Sequence, residues 1–119
     1  MKKLLLSLVL LVLAAAPALA VRRIPVVAPY RAGQAQGNLV AVRGRADIRP
    51  DVAYQGTDVN LVDERGRVIF VGFIPKLNEY AFPQLAALNG KTVVMYGIIE
   101  LYHGLPATQL TLRDQLRQS

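Results

Sequence analysis

Lys91-Thr92-Val93-Val94-Met95-Tyr96-Gly97-Ile98-Ile99-Glu100-Leu101 runs into Tyr102-His103-Gly104-Leu105-Pro106 and on to Ala107-Thr108-Gln109-Leu110-Thr111-Leu112, and this stretch decides how the chain is read. Its first part is dense in β-branched side chains and predicts a strand interrupted at Gly97, with Tyr96 packed inside. The Gly-and-Pro segment at 102–106 predicts a turn. The last part alternates Thr108, Leu110 and Leu112 against Gln109, Thr111 and Arg113, the period of a strand with one buried face. The stretch is therefore expected to be the closing strand pair of a β domain.

Working back from it, Asn89-Gly90 is a helix stop, and Phe82 to Leu88 predicts about two helical turns with Pro83 near their start. Phe82, Leu85 and Leu88 recur at a spacing of three, so the helix has one apolar side. Pro75 ends a third strand, Arg67 to Ile74, whose faces are both apolar. Asp63-Glu64-Arg65-Gly66 is a turn with Gly where positive φ is needed, and it joins that strand to a second one from about Gln55 or Thr57 to Val62. The first strand, Leu39 to Arg49, sets Val40, Val42, Ala46 and Ile48 against Arg43, Arg45 and Asp47. Gly44 lies on its apolar side, where a bend or bulge lets one long strand serve two halves of a small barrel. Pro50-Asp51 is expected to stop it. The order is β-β-β-α-β-β, an all-β fold with one short helix and no internal repeat.

Upstream, Lys2 and Lys3, the apolar run Leu4 to Ala16 and Pro17-Ala18-Leu19-Ala20 predict a secretory signal peptide, residues 1–20, cleaved after Ala20. The run is shorter than a membrane span and is followed at once by Arg22 and Arg23. Cleavage leaves 21–119, the size of one domain, with 21–38 expected as an extended or partly disordered arm and 39–119 as the barrel domain. Periplasmic or secreted localisation follows as an expectation. The chain has no Cys, so its stability must come from packing. Its formal charge of +6 becomes +4 when Lys2 and Lys3 leave with the signal. That excess is compatible with nucleic acid or anionic lipid partners, or with solubility alone.

Val40-x-Val42-x-Gly44-x-Ala46, Asp63-x-x-Gly66 and the run from Leu88-Asn89-Gly90-Lys91 to Gly104-Leu105-Pro106 together resemble the OB-fold nucleic-acid-binding domains of the tRNA-anticodon-binding-like kind, including versions attached to exported bacterial nucleases. The resemblance covers about residues 39 to 114 and is most specific in the final hairpin. It implies a five-stranded Greek-key OB barrel. The chain departs from the family pattern at Ala107 after Pro106 and at Gln115 after Asp114.

Barrels of this kind hold single strands on the face of strands two and three and on the loops joining strands one to two and four to five. Phosphates need cations, and bases need exposed aromatic faces. The candidate residues are Arg43, Arg45, Tyr54, Asn60, Arg67, Tyr102 and His103. Against them stand Asp47, Asp51 and Asp58, which weaken the field that would draw phosphates. His103 is the only His and has no nucleophile, acid or base beside it, so no catalytic or metal set is expected, no cofactor, and no enzyme. Two partner classes follow: single-stranded DNA or RNA held non-specifically, or an envelope protein, oligosaccharide or small ligand on the same barrel.

Overall fold

Alternating apolar and polar side chains become strand through most of residues 24–119, the part of the chain that a computed structural model describes. The expected signal peptide, residues 1–20, lies outside the described residues, as do 21–23 of the expected arm. Eight strands occur among the described residues: β1 (Val26–Val27), β2 (Leu39–Asp51), β3 (Gly56–Val62), β4 (Val68–Pro75), β5 (Thr92–Ile98), β6 (Glu100–Tyr102), β7 (Leu105–Gln109) and β8 (Leu116–Gln118). One short helix, α1 (Leu85–Leu88), stands between β4 and β5. The fold is mainly β with one short helix, as expected, but the sheet has more strands than five. Its hydrogen-bonded path is β6-β7-β4-β3-β2-β5-β8, with β1 parallel to β2.

β2 is the longest strand and has two partners in succession. Leu39 to Arg45 pairs with β5, and Arg45 to Asp51 pairs with β3. The change of partner falls beside Gly44, where a Cβ would stand 3.3 Å from Leu61 and 3.4 Å from Pro29 Cγ. Pro50-Asp51 does not stop the strand, since Pro50 pairs with Thr57 and Asp51 with Gly56. The reason lies in the side its missing N–H would face: the Ile48 N–H, two residues back, already points away from β3 and donates to Asn89 Oδ1 at 3.0 Å. A proline at that parity removes no ladder bond.

Three further expectations change. The break in the fourth expected strand, Lys91 to Leu101, is at Ile99, not Gly97, because the Ile99 N–H donates to Asn38 and its carbonyl accepts from Gly37. That residue is paired with the arm, and β6 begins after it. The helix is one turn, not two: Phe82, before Pro83, has φ −121 and ψ 63 and so cannot be its first residue, and Lys76–Ala81 winds as a 3-10 turn instead. The last alternating run ends as strand at Gln109. Leu112 is exposed, its N–H held by Gln115 Oε1 at 2.9 Å before a 3-10 turn at Arg113–Gln115, and the chain then returns as β8 beside β5.

The core draws Val40, Val42 and Ala46 from β2, Val59 and Leu61 from β3, Phe70 and Ile74 from β4, and Val93 and Met95 from β5. Phe82 and Leu88 close on it from the helical segment, as their spacing implied, and Leu110 and Leu116 from the C-terminal part. Tyr96 is not inside: its neighbours Val93 and Met95 take the inner parity of β5, and its ring lies outward under Arg117, 5.9 Å from the guanidinium carbon. The described part of the arm is extended only at β1. Pro29–Ala35 forms a 3-10 turn whose Ala32 is fully buried in the core, while Val26 and Tyr30 stay exposed.

Candidate functional site

The segment between β2 and β3 and the turn between β6 and β7 bring three rings together. Asp51 Oδ1 accepts the Tyr54 N–H at 3.0 Å, folding residues 52–55 back on the strand end, and Gln55 turns the corner with φ 54. In the second loop His103 and Gly104 have φ 51 and 77, the two positive values of a type I′ hairpin turn. The Tyr102 hydroxyl then donates to Asp51 Oδ2 at 3.0 Å across 51 residues of sequence. The Tyr54 ring meets Tyr102 at 5.4 Å and His103 at 5.6 Å, and Tyr102 meets His103 at 4.5 Å, all edge-to-face. Such pairs contribute about 0.5 to 1.5 kcal/mol each beyond the area they bury.

Beneath the rings are two carboxyls. Burial, with the neighbouring Asp51, pushes Asp58 on β3 from 3.8 up to about 6. Burial opposes ionisation of Asp51 too, but the Tyr54 amide, the Tyr102 hydroxyl, Asp58 and the charge of His103 outweigh it and hold Asp51 below its ordinary value. Burial first, then the bond to Asp51, pushes Tyr102 up to about 12, so its hydroxyl stays a donor. Asp58 Oδ1 is buried with no hydrogen-bond partner. Sequence reasoning treated Asp51 and Asp58 as stray acids on strand faces. Their approach depends on the β2–β3 register, which sets Asp51 opposite Gly56 and Arg49 opposite Asp58.

Of the seven candidate residues, Tyr54, Tyr102 and His103 meet and the other four do not join them. Arg43 is exposed on β2 and its Nε donates to Ser119 Oγ at 2.7 Å. Arg45 is exposed where β2 changes partner. Asn60 faces outward between Asp47 and Val71. Arg67 is bound to Asp63 at 2.9 Å in the 63–66 turn, at the far end of β3 from Gly56 and about 20 Å along the strand from it. Asp63 Oδ1 also accepts the Arg65 and Arg67 N–H groups, the turn-capping role its position implied. The rings thus stand over acids, and the candidate cations Arg43, Arg45 and Arg67 stand elsewhere. Among the described residues no three His, Cys, Asp or Glu gather as a metal site, and no helix is long and apolar enough to cross a membrane.

The Asp58 carboxyl has a pH signature. Its folded pKa is above its unfolded one, so its contribution favours the fold below about pH 4 and is lost as pH rises through about 6. A displacement of that size is worth roughly 3 kcal/mol in a fully buried site, and with solvent screening at this half-exposed position about 1 kcal/mol. Asp58→Asn is therefore expected to raise stability at pH 7 by about 1 kcal/mol and to flatten the decline between pH 4 and 6. Urea midpoints at pH 4, 5, 6 and 7 check this, and an unchanged slope in the variant would refute the assignment. Asp51, held low, acts in a separate window, losing its contribution only as pH falls below its ordinary range.

Neither protein-family models nor curated proteins match this chain.

Proposed function

We propose that the chain is an exported binding module built on a five-stranded OB-type barrel, and that it engages a protein partner at the end carrying Asp51, Tyr54, Tyr102 and His103. The barrel reading is supported by the partner sequence. β2 leads through β3 and β4 to β7, β7 is parallel to β4 and antiparallel to β6, and β6 is separated from β5, the other partner of β2, by Ile99 alone. Five long segments would make the barrel, with β1 and β8 as additions to it.

One observation carries the choice of ligand class: the Tyr102 to Asp51 hydrogen bond, which seats the ring cluster on a carboxylate pair. A base stacked on Tyr54 would bring its phosphates toward Asp51 and Asp58, and like charges at such range repel. A mixed surface of rings and acids suits a polypeptide. Placing a photo-crosslinking phenylalanine at Tyr54 in the exported chain tests the reading. Expected is a discrete protein adduct, absent when the same group stands at Arg113; adducts equal at both positions, or none, would refute it.

A second reading has its own support. Arg43, Arg45 and Arg49 are exposed on one face of β2, a row of cations broken by Asp47, to which Arg49 is bound at 3.2 Å, and cations along a strand favour single-stranded nucleic acid. Fluorescence anisotropy with a labelled oligonucleotide separates the two: binding at tens of micromolar protein that weakens with salt selects nucleic acid, and its absence removes that ligand.

A further inference from the structure

Between the 50–56 segment and the Lys76–Ala81 turn lies a groove of about 430 Å³. Val52, Leu77 and Tyr80 are 86%, 88% and 83% exposed, and all three belong to the two segments that form its walls. Of the three only Val52 lines the groove itself; Leu77 and Tyr80 share the next side of the 3-10 turn from Lys76 and Glu79, so the exposed apolar surface extends from the groove over its rim, and such a cluster marks an interaction surface. The groove is lined by Asp51 and Glu79 against one cation, Lys76. Glu79 is fixed by the Thr57 hydroxyl, which donates to it at 2.9 Å, and the Lys76 N–H is satisfied by the Gln55 carbonyl at 3.0 Å. Asp58, with an oxygen that nothing donates to, faces Asp51 from β3. This end therefore sets three carboxyls, Asp51, Asp58 and Glu79, around the one lysine of the groove.

We infer that this groove docks a polypeptide segment in which a lysine or arginine lies between apolar side chains, the apolar groups covering Val52, Leu77 and Tyr80 and the cation entering between Asp51 and Glu79. The inference rests on the protein-partner reading above and gives that partner its chemistry. The charge complementarity selects the occupant: a segment apolar throughout would leave Asp51 and Glu79 desolvated with Lys76 as the single counter-charge for two carboxylates, and an acidic one would add to their repulsion.

The test selects twelve-residue peptides from a random library on the purified exported chain and measures labelled winners by anisotropy. Expected winners carry Lys or Arg flanked by Leu, Val or aromatic residues. Leu77→Ser with Tyr80→Ser should weaken them about ten-fold. Lys76→Glu should tighten them about two- to five-fold and Glu79→Lys should loosen them comparably. Lys76, Leu77 and Tyr80 are exposed, so their variants are expected to keep the parent's thermal midpoint, while Glu79 is half-buried and accepts the Thr57 hydroxyl, so Glu79→Lys is expected to lower it; the midpoint of each variant is measured alongside. If winners bind at the groove, and are lost with the Leu77 and Tyr80 changes, but are acidic or uncharged, the inference fails and the protein-partner reading stands. If no peptide binds, both fail. If sedimentation shows a dimer that those same two changes abolish, the occupant is a second copy of the chain and the inference fails.

Discussion

Gly97→Ala is expected to lower stability by about 2 to 6 kcal/mol, read as a fall in the urea midpoint at unchanged slope. A Cβ at Gly97 would overlap Thr108 Oγ1 and stand 3.0 Å from Thr108 Cβ, an atom with no freedom to withdraw. Overpacking of this kind costs about 1 to 3 kcal/mol. The displaced hydroxyl also loses its bond to the Ile98 carbonyl, made at 2.9 Å. Thr108 is 2% exposed, so an unpaired hydroxyl there adds about 1 to 3 kcal/mol. The position matters because this contact joins β7 to β5, the seam on which the barrel reading rests. A double-mutant cycle with Thr108→Ala makes the argument specific: the second change should recover part of the loss, and strictly additive effects would mean that the two residues do not meet.

Phe70→Ala is expected to cost about 3 to 5 kcal/mol, a third or more of the total stability of many small domains. The ring is fully buried in the core cluster and sits on β4 opposite Leu61 of β3. Truncation leaves a cavity that the β3–β4 pair cannot close without moving its backbone. Phe70→Leu, which keeps most of the volume, should cost about 1.5 kcal/mol or less. Equal losses for the two substitutions would show that Phe70 is not tightly enclosed. With no disulfide in the chain, nothing covalent compensates for either change.

Much of the local structure was legible. The second and third strands lie within a residue or two of their expected bounds, since apolar alternation and the Asp63-to-Gly66 turn act over neighbouring residues. Gly66, at φ 77, and Gly90, at φ 81, take the positive angles their positions called for. The errors share a different cause. Pro50 was read as a stop because proline breaks ladders in general, yet whether it breaks this one depends on which side of β2 its partner occupies. Ile99 looked like mid-strand, and its pairing with the arm is non-local. Leu116 lies beyond the last expected strand, yet it is a core residue of β8 because β5 offers a free edge.

The candidate site divides along the same line. That Tyr54 and Tyr102 belong to two turns, and that Arg43, Arg45 and Arg49 share one strand face, follows from patterns only a few residues long. Sequence alone determined the β class, the turns and the alternation that chooses which side chains go inward, because periods of two and φ restrictions are properties of adjacent residues. Tertiary structure decided that Tyr102 would reach Asp51, that Asp58 would be its acidic neighbour, and that Arg67 would stand apart with Asp63. Those outcomes depend on the register and curvature of strands far apart in the chain, which accumulate over the whole sheet and are written in no single segment.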